Sequence, residues 1–314
     1  MSKSAIIVLF FLSIITTTSL ADNSSQGFIN VPGGPVWYKI SGSGEGLPLL
    51  TLHGGPGSTS CGFSLLEPLG DQRSIIRYDQ LGSGRSGRPD DLSLWEVDRF
   101  VEALDIILNE LKLEEFHLLG HSWGAALAGA YILEKGTSGV ASVIFSSPLL
   151  STPLWIEDAN YLRSQLPQDI QDTLMTHEAA NTTNTDEYRA ASSVFYERHL
   201  TRGEAKEKVN CDGAPWNQVI YEHMWGPTEF HATGNLIDFD LSDQLFKIDI
   251  PVLFITGEYD EARPETVYKF HKMTPSSEFI VIKDVAHASL SRAPEEYRRI
   301  LEVFFEKIED KDES

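Results

Sequence analysis

Ser122, an acid among Glu258, Asp260 and Glu261, and His287 have the types and the chain order needed for acyl transfer through a serine. Ser122 sits in "GHSWGA", a Gly-x-Ser-x-Gly pattern over residues 120–125. A hydroxyl is a weak nucleophile and needs a base, itself oriented by an acid. On a strand–turn–helix scaffold the partners follow in the order serine, carboxylate, histidine, each just after a strand. The apolar run "VLFITGEYDE" ends among Glu258, Asp260 and Glu261, and spacing alone does not choose between them. Of nine histidines, His287 is the one that closely follows the last apolar run, "FIVIKDVAH". His53 and His121 adjoin glycines and are read as hydrogen-bonding the turns. A glycine-rich loop, "HGGPG" (His53 to Gly57), can aim a backbone N–H at a developing oxyanion, so the N–H groups of Gly55 and Trp123 are the candidate oxyanion donors.

These residues need rigid elements under them. Apolar runs at "GGPVWYKISG", "LPLLTLHG", "RSIIRYDQ", "EFHLLG" and "ASVIFSS" read as strands, and "SLWEVDRFVEALDIILNELK" as a helix. Leu94, Val97, Val101, Leu104, Leu108 and Leu111 recur at helical spacing, with Ser93 and Glu96 as an expected capping box. A second helix begins near Trp123. This alternation predicts an α/β fold with a mostly parallel sheet flanked by helices, its strands buried on both faces. It stops after Pro148. Residues 149–240 are polar, aromatic-rich and helical in pattern, and the alternation resumes at Pro251. The expected organisation is a core of 22–148 and 241–314 interrupted by a helical cap at 149–240, placed where such sheets bind ligands. The strand before Ser122 and the small-residue helix after it make the motif a nucleophile elbow, with Gly120 and Gly124 required because side chains there would strike the neighbouring strand and helix. In "DQLGSGRS", Asp79 and Arg85 are expected to fix the loop by hydrogen bonds and a charge pair, not to do chemistry.

Residues 1–21 read as a secretory leader: Lys3, an apolar run from Ala5 to Ile15, then Ser19 and Ala21 as a cleavage site. The run is shorter than the ~20 residues a spanning helix needs, so the expected location is secreted or periplasmic, with no stable membrane insertion after cleavage. The formal charge is −21, and losing Lys3 makes it one unit more negative. Such a surface repels nucleic acid and anionic membranes. Cys61 and Cys211 could pair in an oxidising compartment, and sequence does not say whether they meet. Two cysteines and unclustered histidines give no metal site, and no cofactor is expected. Asn23 and Asn181 lie in glycosylation sequons. Oligomeric state is silent.

"LHGGPG", "YDQLGSGRS", "GHSWGA", "GPTEF", "GEYDE" and "VAHAS" together resemble the proline iminopeptidase family of α/β-hydrolases over nearly the whole mature chain. The resemblance selects Asp260 as the triad acid. It implies a serine aminopeptidase that releases N-terminal residues, proline foremost, from short peptides or aminoacyl amides with a free N-terminus, through an acyl-enzyme. By position in the motifs it assigns amino-group binding to Glu229 and Glu261. A buried ammonium needs such partners, or its desolvation goes uncompensated. An amino-acid amidase or esterase on the same triad is the alternative.

Overall fold

The computed structural model describes residues 24–209 and 216–312. The expected leader, Asn23 and Cys211 lie outside the described residues. Eight strands form one sheet: β1 (Ser25–Val31), β2 (Gly34–Ser41), β3 (Gly46–Leu52), β4 (Arg73–Tyr78), β5 (Phe116–His121), β6 (Val140–Ser146), β7 (Val252–Gly257) and β8 (Ser277–Ile282). Their order is β1-β2-β4-β3-β5-β6-β7-β8, antiparallel at the β1–β2 and β2–β4 pairs and parallel from β4 to β8. This is an α/β-hydrolase sheet. The central strands are wholly buried, which explains their continuous apolar character: β7, Val-Leu-Phe-Ile-Thr-Gly, has no exposed residue.

The order in which strands are added across the sheet reverses between β3 and β5, which run parallel with Leu52 opposite Gly120. Their carboxyl ends therefore carry "HGGPG" and Ser122 side by side, at the switch point where such sheets bind ligands. Helices α1 (Val97–Glu110) and α2 (Trp123–Lys135) cover one face. Val101, Leu104 and Leu108 are buried, with Leu94, Val97 and Leu111 packed at the margin. The expected capping box does not form. Glu96 occupies the N-cap of α1 without a side-chain bond, while Ser93 belongs to a preceding 3-10 turn capped by Asp91, whose carboxylate accepts from Ser93 N–H at 3.0 Å and Oγ at 2.7 Å. Asp91 lies two residues from Ser93 and Glu96 three, so the shorter local turn of Asp91 captures Ser93.

Between β6 and β7 the chain carries α3 (Thr152–Arg163), α4 (Gln168–Ala179), α5 (Asp186–His199) and α6 (Gln218–Met224). Antiparallel pairing closes the base of this excursion. Ser151 bridges Asp240, Thr152 N donates to Phe239 O and Leu241 N to Leu150 O, both at 2.8 Å. The cap has its own apolar cluster, including Leu162, Leu174, Tyr188, Phe195 and Phe230. Helices α7 (Pro264–Met273), α8 (Ser289–Arg292) and α9 (Pro294–Asp312) complete the core. A clasp ties α9 to the amino ends of the strands. Glu309 bonds Arg73 and lies 2.9 Å from His117 Nε2, and His117 Nδ1 lies 2.7 Å from Ser142 Oγ. No helix among the described residues is long and apolar enough to cross a membrane. Asn181 is exposed, in a left-handed conformation (φ 53°) that asparagine tolerates.

Candidate active site

Ser122 is the turn between β5 and α2, with φ 57° and ψ −121°. That conformation costs a non-glycine residue on the order of 1–3 kcal/mol and persists only where its surroundings enforce it. They do so here: Ser122 N donates to Ser146 O at 3.0 Å, and Ser122 O accepts from Ala125 N at 2.9 Å and Leu149 N at 3.3 Å. The flanking glycines make the turn possible. A Cβ on Gly120 would lie 2.2 Å from Gly124 O, and one on Gly124 would lie 2.0 Å from Leu52 O. The small residues of the motif are thus a packing requirement of the elbow.

Asp260 and His287 meet across the ends of β7 and β8. His287 Nδ1 donates to Asp260 Oδ1 at 2.8 Å. That bond leaves Nε2 as the unprotonated nitrogen of the neutral ring. His287 and Ser122 line the same cavity, of about 630 Å³. Burial pushes the Asp260 carboxyl up, but the His287 charge and bond, Ser147 Oγ at 2.6 Å and Ala262 N–H at 2.9 Å outweigh it and hold the group below its ordinary range. Burial pushes the His287 pKa down, but the Asp260 charge and bond, with the Glu229 charge, outweigh it, so it ends above 6.5. His121, against His287 at 4.6 Å between ring centroids, is pushed down to about 3 by burial and by His287, and stays neutral.

Gly55, at φ +111°, lines the same cavity. The Trp123 indole is wholly buried, so only its main chain is available to the site; as the first residue of α2, its N–H has no intrahelical acceptor. One network holds both segments. His53 Nε2 accepts from Gln80 N–H at 2.9 Å, Gln80 Nε2 donates to His53 O at 2.8 Å, and the Trp123 indole donates to Gln80 Oε1 at 2.9 Å. Burial lowers the His53 pKa and keeps the ring neutral in this role. Asp79 fixes the adjoining loop by accepting from Ser60 N–H and Oγ and from the Arg85 N–H. The expected Asp79–Arg85 charge pair does not form. The backbone of Arg85 makes the bond, while its guanidinium stacks 4.3 Å above the Trp37 ring.

The two remaining acids approach from different elements. Glu229, from the cap, lines the cavity; Tyr221 bonds its carboxylate, and the Trp155 indole donates to its main-chain oxygen at 2.9 Å. Glu261, next to Asp260, is 1% exposed and lies 3.8 Å from His287 Nδ1. Neither of its carboxylate oxygens has a hydrogen-bond partner among the described residues. Burial, then the Glu229 and Asp260 charges, raise the Glu261 carboxyl well above its usual range; burial raises Glu229 as well. Glu258, the third acid of the run, bonds Asp284 N–H and stays out of the site.

Two positioning residues escaped the sequence reading. Ser147, at φ 46°, follows β6 and gives Asp260 its shortest bond. His199 ends cap helix α5, and its carbonyl accepts from both Glu261 N at 3.3 Å and His287 N at 3.2 Å, while Leu200 O accepts from Ala288 N at 2.9 Å. The cap therefore splints the acid loop to the histidine loop. Cys61 lines the cavity and is not a free thiol.

Residues 48–294 match the model of the alpha/beta hydrolase fold family. A proline iminopeptidase of Heyndrickxia coagulans is 45% identical over 288 residues, covering 90% of this chain and 99% of that protein. The crystal structure of a proline iminopeptidase from Mycobacterium smegmatis superposes with a TM-score of 0.79 at 30% identity, covering 90% of this chain and 98% of that one. The crystal structure of VinJ superposes at 0.82, also at 30% identity, covering 90% and 99%. The chain is a serine hydrolase and belongs to the proline iminopeptidase family of α/β-hydrolases.

Proposed function

We propose that the protein is an exported serine aminopeptidase that releases the N-terminal residue, proline foremost, from short peptides through an acyl-enzyme. Ser122 Oγ attacks the first peptide carbonyl while His287 Nε2 takes its proton. Asp260 holds the ring and stabilises the imidazolium, and the Gly55 and Trp123 N–H groups receive the oxyanion. Collapse breaks the C–N bond, and His287 delivers its proton to the leaving amine. Water then attacks the ester by the same route and frees the amino acid and Ser122.

The observation that carries the free-amine requirement is Glu261. A carboxyl group buried beside the triad with both oxygens unpartnered is costly, and a substrate ammonium between Glu261 and Glu229 supplies what it lacks. The proline preference is supported by the relatives, which carry the name proline iminopeptidase. Export is supported by the leader pattern of residues 1–21. A panel of aminoacyl p-nitroanilides on the mature protein tests the reading. Prolyl p-nitroanilide is cleaved best, and its N-acetyl form is not cleaved. Equal cleavage of the blocked compound removes the amine requirement, and a better rate on another residue removes the proline preference.

A further inference from the structure

The cavity is much larger than the reaction's acyl part needs. About 630 Å³ is the size that houses a drug-sized ligand, whereas the acyl part is one amino acid. The acyl residue is fixed at the Glu229 end by its ammonium, beside Tyr196 and Tyr221. The leaving amine must face His287, which protonates it, so the rest of the leaving group runs along what adjoins His287. There the lining runs through Ala288, Leu290 and Ser291, with Leu200, whose carbonyl accepts from Ala288 N, and the cavity is also lined by Val209 of the cap and by Phe63 and Leu65 of the 3-10 segment Ser60–Asp71. All of these but Ser291 are apolar.

The charges in the wall are one-sided. Its carboxyl and imidazole groups are those of Glu229, His53, His121 and His287, and no lysine or arginine lines it among the described residues. Two nearby arginines are engaged elsewhere. Arg298 pairs with Glu207 at 2.8 Å and donates to Leu65 O, and Arg292 donates to Thr201 O at 3.2 Å. A free dipeptide would bring its α-carboxylate into this limb, inside a cavity whose lining carries the acid Glu229 and, among the described residues, no lysine or arginine to receive it. A buried charge without a partner is excluded more strongly than any lost apolar contact.

We infer that this limb is a leaving-group subsite for bulky, uncharged, apolar groups, so that the preferred substrates are prolyl amides, or peptides whose second residue is large and apolar and whose carboxylate lies outside the cavity, with free dipeptides disfavoured. The inference rests on the aminopeptidase reading and adds the leaving-group class to it.

The test is kcat/KM of the purified mature enzyme at one pH and ionic strength on prolyl-phenylalanine amide, prolyl-phenylalanine and prolyl-glycine amide, read by proline release. The amide of phenylalanine exceeds the free dipeptide by about tenfold or more, the size expected from leaving a charge uncompensated. It exceeds the glycine amide by about tenfold, as burial of an aromatic side chain predicts. A Ser291→Lys variant, placing a cation in the wall at a half-buried position, narrows the first ratio. Equal rates on the amide and the free acid overturn the charge exclusion, and equal rates on the two amides overturn the apolar subsite, while the aminopeptidase reading stands in both cases. Failure to cleave any prolyl compound overturns that reading and this inference with it.

Discussion

Glu261→Gln separates amine recognition from the triad. In the free protein, burial and the neighbouring charges of Glu229 and Asp260 favour the protonated, neutral Glu261. Glutamine has nearly the same shape and is also neutral. The substitution therefore changes folding stability by less than about 1 kcal/mol, a shift in Tm of no more than about 2–4 °C for a domain of this size. With an ammonium between Glu229 and Glu261, the balance inverts. The variant has one charge where two were present, in a site away from water. Breaking a buried pair costs about 3 kcal/mol, or roughly 10²-fold in kcat/KM. The assay pairs prolyl p-nitroanilide with p-nitrophenyl acetate, which uses the same serine, histidine and oxyanion donors but has no amine. The expected result is a loss of about two orders of magnitude on the anilide, with the ester within about twofold and Tm nearly unmoved. A parallel loss on the ester means that Glu261 acts through His287, 3.8 Å away. No loss on either substrate means that the ammonium binds elsewhere.

Three more outcomes follow from the same geometry. His287 must be unprotonated to accept the Ser122 proton, and its pKa is raised, so ester turnover falls with decreasing pH about a midpoint above 6.5; a midpoint below that removes Asp260's electrostatic role. Ser147→Ala deletes the 2.6 Å donor to Asp260 and lowers kcat on anilide and ester alike by roughly tenfold, the worth of a buried bond to a charge; a loss confined to the anilide contradicts this. Glu309 is pushed up by burial, but its bonds to His117 and Arg73 win and hold it at about 2. A depressed carboxyl contributes stability above its unfolded pKa and loses it as pH falls toward the folded one. Glu309→Gln is therefore less stable than the parent in urea at pH 6, the gap closing between about 4.5 and 2; a gap constant with pH contradicts the clasp.

What sequence could express depended on whether the determinant was local. Gly120 was legible because the clash it avoids is with Gly124 O, four residues on in the same turn, and Gly124 through its place in the motif, although the carbonyl it clears, Leu52 O, belongs to β3. The sheet was legible because strands buried on both faces are uniformly apolar. β1 was missed: Ser25–Val31 is an edge strand with mixed burial, so its pattern is weak. The capping box failed because two cap signals overlapped and Asp91 outcompeted Glu96. Arg85 was read by its charge, yet its N–H makes the bond to Asp79. Ser147 and His199 were invisible for a different reason. They bond Asp260, Glu261 and His287 from distant chain positions, His199 through a main-chain carbonyl that any residue supplies. Even the unpartnered state of Glu261 is a property of the fold around it.

The most direct test of the central claim is where an acylating probe goes. Mature protein treated with a fluorophosphonate, digested and analysed by mass spectrometry carries one adduct, on Ser122. Labelling is abolished in Ser122→Ala, which also loses prolyl p-nitroanilide hydrolysis, and is strongly slowed in His287→Ala. An adduct on another serine, or a Ser122→Ala protein that still releases proline at the parent rate, contradicts the account.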